Sequence, residues 1–295
     1  MAIRLAPAQA SPYRRASTRS TLLLWALPLL YLAVFFFLPL TAIFREGLGG
    51  GGLDFLSAET WARVARPLQF SILVASLATL LTVLLGVPGA YLFARYQFPL
   101  KNLLRVLTTI PFILPTVVVA ASFNALLGPR GLINVALMQV LGLPNPPINF
   151  LNTFGAILVG LIFYNTTIVI RMVGAAWMRI DPRLNQAARI LGADQRRTFF
   201  EVTLPLLRPA LLASALLVFL FDFTSFGVVL LLGGPRYATL EVEIYIQALH
   251  LLNLPMASLL SLIQLLSTLV LTVLYTRMSA GTIVAVAPRY EDPGV

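Results

Sequence analysis

Long apolar runs alternate with short polar ones along this chain, and that alternation predicts its elements. Six runs are long enough to cross a bilayer core as helices: residues 21–44, 68–94, 103–127, 154–178, 205–232 and 254–276. The expectation is an all-α integral membrane protein, with residues 1–20 and 277–295 as polar tails and 68–276 as the core membrane domain. A basic start followed by an apolar run also fits a secretory signal. The first run is too long for one and lacks a clear small-residue cleavage site, so it reads as a first transmembrane helix. Pro88, Pro111 and Pro115 fall inside these runs and predict kinks.

The pattern changes between the fourth and fifth runs. Residues 179–209, RIDPRLNQAARILGADQRRTFFEVTLPLLRP, form the one long polar segment that interrupts the apolar core. Asp181 suits the cap of a short helix, Pro182 its opening turn, and Gly192 the left-handed residue that ends it. Asp194 caps a second helix through Phe199 and Phe200, which Pro205 is expected to stop. On the first helix Leu184, Ala187, Ala188 and Leu191 recur at helical spacing and make one apolar stripe, with Arg183, Asn185 and Arg189 flanking it. Periodicity alone leaves two readings open: an amphipathic hairpin lying at lipid headgroups, or a docking element for a partner.

Gln186-Ala187-Ala188, Gly192 and the later Leu204-Pro205 resemble the EAA loop of permease subunits in binding-protein-dependent ABC importers. The family pattern begins with Glu, and here Gln186 removes that charge. The resemblance implies a type I (MetI-like) bundle whose coupling residues are Leu184, Gln186, Ala187, Ala188, Arg189, Leu191, Gly192, Leu204 and Pro205. It further implies partners: ABC ATPase subunits that hold ATP and Mg2+, a second permease subunit or an identical copy, and an extracytoplasmic binding protein. No cofactor is expected on this chain. The stretches FTSFG and GGPRYATLEVEIY, residues 223–227 and 233–245, are similar to iron(III)- and thiamine-type permeases, of which this chain resembles one six-span half. Polyamine, aminophosphonate and sulfate or molybdate permeases stay open as alternatives, as does an ATP-independent secondary carrier.

Composition agrees with the membrane reading: 59% of residues are hydrophobic and 11% charged, and cysteine is absent. The net charge of +10 raises nucleic acid as a partner, but the distribution of the basic residues argues against it. With six crossings, fifteen of the 21 Lys and Arg fall on the side of both tails and of residues 179–209, and five on the other. That bias predicts a cytoplasmic location for the first group, and the permease resemblance implies a bacterial inner membrane. The glycines at 47–52 read as a hinge. They do not form a phosphate-binding loop, because no Gly-Lys-Ser/Thr follows and Lys101 is the one lysine.

Apart from Arg105 and Arg208 close to run ends, two charges remain inside the runs. Arg171 is near enough to a helix end to snorkel. Asp222 is too deep and too short for that, so it faces a cavity or another helix. Ser225 and Phe226, one turn on, are expected on the same face, and with Asn165 they make a candidate translocation path; an interhelical hydrogen bond is the other reading of Asp222. Asn165, Thr166, Thr167, Ser122 and Asn124 read first as interhelical hydrogen-bonding groups. The outer loop 128–152 reads as a turn-rich cap, and Thr239 as the cap of a short helix at the outer mouth. His250 has no Cys or His at ligand spacing, so no metal site is expected, and no catalytic constellation is present.

Overall fold

The computed structural model describes residues 18–49, 57–234 and 236–280, and among them every regular element is helical. Helices lie along all six expected runs, but only some are plain, and the third stretch long and apolar enough to cross is Thr116–Leu141, which shares only the second half of the expected 103–127. The first joins α1 (Thr18–Leu32) to α2 (Leu38–Gly49) through a π turn at Ala33–Phe37. Among the described residues it packs chiefly on the last helix, including at Gly47, where a Cβ would lie 3.1 Å from Leu262 Cδ1. Helix therefore continues through Gly47 to Gly49, where a hinge was expected; the rest of that glycine run lies outside the described residues.

The second crossing, α3 (Ala58–Arg95), begins ten residues before the apolar run, because Ser57 caps it by accepting from Thr60 N at 3.2 Å. It continues through Pro67 and Pro88 as one α-helix. The third crossing is segmented into α4 (Lys101–Leu107), α5 (Ile110–Ile113) and α6 (Thr116–Leu127). Backbone groups freed at such breaks have no water to turn to inside a membrane. Here α8 (Phe154–Arg179) supplies the partners: the Thr167 hydroxyl donates to the Thr108 carbonyl, and the Tyr164 hydroxyl to the Leu114 carbonyl at 3.1 Å.

The loop 128–152, expected to be a turn-rich cap, contains α7 (Leu132–Leu141), folded back on α6. Asn134, fully buried, holds it there. Its amide donates to the Gly128 and Ile148 carbonyls at 2.9 Å each, and its Oδ1 accepts from Ile148 N at 2.9 Å.

After α8 come α9 (Pro182–Ile190) and α10 (Gln195–Thr198), then α11 (Leu204–Phe223). Pro205 does not start a new helix. A π turn at Phe199–Thr203 joins α10 to α11, and because it already departs from the i→i−4 ladder, the missing proline N–H costs little. The fifth crossing ends sooner than its apolar run: α11 stops at Phe223, and a second helical stretch resumes after Phe226 as far as Gly233. A short helix, α12 (Leu240–Tyr245), and the long α13 (Leu254–Ala280) complete the described residues. Thr239 precedes α12 but its hydroxyl caps nothing; Ser71 of α3 instead accepts from Leu240 N at 2.8 Å.

The core centres on α3 and α8, which cross closely because glycines line the contact. A Cβ on Gly86 would stand 2.6 Å from Val169 Cβ, and one on Gly89 3.0 Å from Ile170 Cδ1. Val74, Ala90, Val169, Val173 and Val218 are completely buried around this seam, which α11 closes from one side. The outer faces carry exposed Leu27, Phe35, Leu80 and Leu266, as a lipid-facing surface must.

Candidate functional site: the polar hairpin and the buried carboxylate

The polar segment 179–209 folds much as its residues predict. Asp181 accepts from Arg183 N at 2.9 Å, Pro182 takes the first turn, and Gly192 closes α9 with φ +89°. Asp194 caps α10 by accepting from Arg197 N at 2.7 Å. The hairpin is fastened to the bundle by a few contacts. Asn185 and Ala188 are half-buried toward it, and the Thr203 hydroxyl donates to Asn185 Oδ1 at 3.2 Å.

The expected apolar stripe thus divides. Ala188 turns inward, while Leu184, Ala187 and Leu191 stay exposed, joined by Ile190 at 86% exposure and Leu191 at 87%. Gln186 and Arg189 are also exposed, and Leu204 and Pro205 sit half-buried at the root of α11. A helix of nine residues that buries so little is marginal by itself. Its open face is a surface in need of a cover.

Deep in the bundle, Asp222 is 1% exposed and Asn165 5%. Asn165 Nδ2 donates to Asp222 Oδ1 at 2.7 Å, and Thr79 Oγ1 donates to Oδ2 at 3.4 Å. The carboxylate therefore bonds to α8 and α3 from the end of α11, the interhelical alternative of the two readings. Ser225 and Phe226 are not on its helical face. The helix has ended by Thr224 (φ −99°, ψ 20°), so these residues are half-buried beyond the break, with the Phe226 ring 5.3 Å from that of Tyr245.

The smaller polar expectations sort themselves by partner. Thr167 and Asn165 reach other helices, whereas Thr166 and Ser122 bond back to carbonyls of their own, those of Ile162 and Val118. Arg171 is exposed, as a snorkelling side chain should be. His250 packs edge-on against Tyr245, with ring centroids 5.1 Å apart.

Two cavities flank the bundle, and the sequence pattern marked neither. At the end of α3 near α12, Arg66, Phe70, Arg236, Tyr237 and Glu243 line a space of about 230 Å³. At the opposite end of α3, beneath the hairpin, a space of about 400 Å³ is lined by Tyr91, Arg95, Trp177, Asn185 and Arg189 among others. Their lining residues lie far apart in sequence, so spacing could not have signalled them.

Near α12, Gln264 Nε2 donates to Glu241 Oε1 at 3.2 Å, while Gln264 Oε1 is buried without a partner. Burial raises the Glu241 carboxyl to about 7, the bond from Gln264 opposing only part of that rise.

Comparison with known proteins agrees with this architecture. Residues 83–283 match the family described as binding-protein-dependent transport system inner membrane component. A provisionally named 2-aminoethylphosphonate transport system permease protein, PhnU of Salmonella typhi, is 33% identical over 88% of this chain and 92% of its own length. The thiamine transport system permease protein ThiP of Brucella abortus is 35% identical over 82% of this chain, which spans 44% of that relative. Among solved structures, a bacterial ABC transporter that imports alginate aligns with TM-score 0.70 at 18% identity over 89% of this chain and 96% of its own. A structure of the MetNI methionine ABC transporter aligns with TM-score 0.55 at 15% identity over 77% of this chain and 99% of its own. The family match spans well over half of the chain, and with the all-helical membrane bundle it establishes that this chain belongs to the inner membrane permease components of binding-protein-dependent ABC importers.

Proposed function

We propose that this chain is the permease subunit of an importer that takes up a small aminophosphonate delivered by an extracytoplasmic binding protein. The single observation that carries the cargo is the match to PhnU along nearly the whole of both chains. The thiamine relative is matched over only 44% of its length, and the polyamine permease PotB of Haemophilus influenzae over 61% of this chain. The aminophosphonate is therefore placed ahead of the iron(III) and thiamine readings suggested by residues 223–227 and 233–245, with thiamine kept as the second reading because ThiP is 35% identical over 82% of this chain. The cavity near α12 supports the choice: the Arg66 and Arg236 guanidiniums suit a phosphonate, and the Glu243 carboxylate suits an ammonium.

In this reading α9 lies in the cytoplasm with both chain ends, seated on a separate ATPase subunit. Leu184, Ile190 and Leu191 enter the partner's groove, and Gln186 contributes a neutral hydrogen bond in place of an ion pair. The exposure of these apolar residues on a fixed, capped helix supports the role. ATP-driven approach of two ATPases draws the paired α9 helices together, and because the π turn joins the hairpin to α11, the stroke enters the bundle along that helix. Asp222 then acts as the tie between the moving α11 and the α3–α8 pair. A second permease copy or subunit closes the path.

Deletion of the chain in its host, followed by uptake of labelled 2-aminoethylphosphonate, thiamine and spermidine, tests the cargo. Loss of the first alone is expected. Loss of thiamine or spermidine uptake with 2-aminoethylphosphonate unchanged would reassign it.

A further inference from the structure

The walls of the cavity beneath the hairpin are chemically one-sided. Arg95 ends α3 and Arg189 lies in the last turn of α9, and the cavity lies between them. Neither guanidinium has a carboxylate at ion-pair distance among the described residues, where Glu59 and Glu201 pair with Arg63 and Arg197 instead. No described residue lining the cavity is acidic. The neutral groups lean the same way. Asn185 spends its carbonyl oxygen on Thr203, which leaves its amide hydrogens to donate, and the Tyr91 and Tyr96 hydroxyls lie within 3.4 Å of each other at the rim. Trp177 adds an indole wall whose Nε1 is buried with no acceptor.

A space of about 400 Å³ falls in the range of small-ligand sites, roughly 300–1,000 Å³. With two free guanidiniums, surplus donors and no anion of its own, it is complementary to a tetrahedral oxyanion. Because it sits where α3 and α8 leave the membrane, a lipid headgroup can enter it from the side and a soluble phosphate from the aqueous face.

We propose that this cavity binds a phosphate group and, when filled, holds α9 against the bundle by bridging Arg189 to Arg95. The importer reading enters this inference only in assigning that end to the inner leaflet. Occupancy would then fix the angle at which α9 is presented, and membrane anionic lipid or cellular phosphate would tune coupling.

The test uses the full chain in phosphatidylcholine nanodiscs. In one arm phosphatidylglycerol is added and bound lipid is counted by native mass spectrometry; in the other, inorganic phosphate is titrated by equilibrium dialysis. Retention of either ligand supports the proposal, and the arm that responds identifies the source. Arg95→Gln and Arg189→Gln should each weaken binding about tenfold, while Arg208→Gln, an equal loss of charge on exposed α11 surface away from the cavity, should change it less than about twofold. Equal effects from all three variants, or no binding in either arm, would overturn it. So would expulsion of the ligand when the co-purifying ATPase is bound, because the cavity would then be part of the ATPase seat. The importer reading fails separately, if no ATPase co-purifies while phosphate still binds.

Discussion

Asn165 on α8 donates its amide to the Asp222 carboxylate at the end of α11, 2.7 Å away in a site closed to solvent. A carboxylate in that position would be costly in lipid, and two helices supply its donors. Its removal strands those donors. Asp222→Ala should lower stability by about 1–3 kcal/mol, read as a lower unfolding temperature in detergent, whereas Asp222→Asn, which keeps the volume and one acceptor, should cost less. Equal losses in the two variants would show that packing, not the hydrogen bond, holds α11.

The hairpin makes a prediction about coupling without unfolding. Gly192 has φ +89° and no atom within 4 Å of where a Cβ would stand, so Gly192→Ala carries a backbone penalty alone, about 1–2 kcal/mol confined to α9. Uptake should fall while membrane insertion and the unfolding temperature stay near those of the parent. Replacing Ala187 and Ala188 together by Leu should abolish uptake with the crossings still inserted. Normal uptake in that double variant would count against α9 as the coupling element.

The α3–α8 seam should be far less tolerant. Gly86→Leu puts side-chain atoms where Val169 already stands, and the overpacking should cost about 1–3 kcal/mol or more. Leu at the exposed Gly155, where the one neighbour is Thr153 Oγ1 at 3.8 Å, serves as the control, and its unfolding temperature should be nearly unchanged.

Glu241 gives the chain a pH dependence. Burial lifts its folded value to about 7 from an ordinary 4.5, so between those limits the folded chain binds more protons than the unfolded one. This contribution to stability is complete below about pH 4.5, falls as pH rises toward 7, and is level above that. When neutral, Glu241 also has a proton for the unpartnered Gln264 Oε1. The unfolding temperature of the parent should therefore decline across this window relative to Glu241→Gln, which has no proton to lose. Parallel curves would refute it.

Much of this fold was legible because each signal was local. Asp181, Pro182 and Gly192 mark the ends of α9 within a dozen residues, and apolar length marks the crossings. The errors came where the deciding partner lay elsewhere. Pro205 looks like a stop until the π turn before it is seen, and the run 205–232 looks continuous because apolar residues flank Asp222, Thr224 and Ser225 on both sides and no proline after Pro209 marks the end of α11. Pro144, Pro146 and Pro147 made residues 128–152 read as turns and hid α7, and the Asn134 side chain that secures it bonds to backbone fourteen positions away. For the same reason Asp222 could be identified as out of place in lipid, but its bond to Asn165, 57 positions distant, could not be read from spacing.

The unbroken course of α3 has a mechanical consequence. Arg66 and Phe70 wall one cavity and Tyr91 and Arg95 the other, about 44 Å apart along the axis from Arg66 to Arg95 at 1.5 Å per residue. A beam of that length, held by α8 from the Phe70–Phe154 ring contact at one end to the Tyr91–Trp177 contact at the other, tilts together with α8 rather than flexing alone. A tilt of a few degrees imposed beside α9 then reappears as an ångström-scale displacement of Arg66, opening or pinching the distant mouth with no messenger between them.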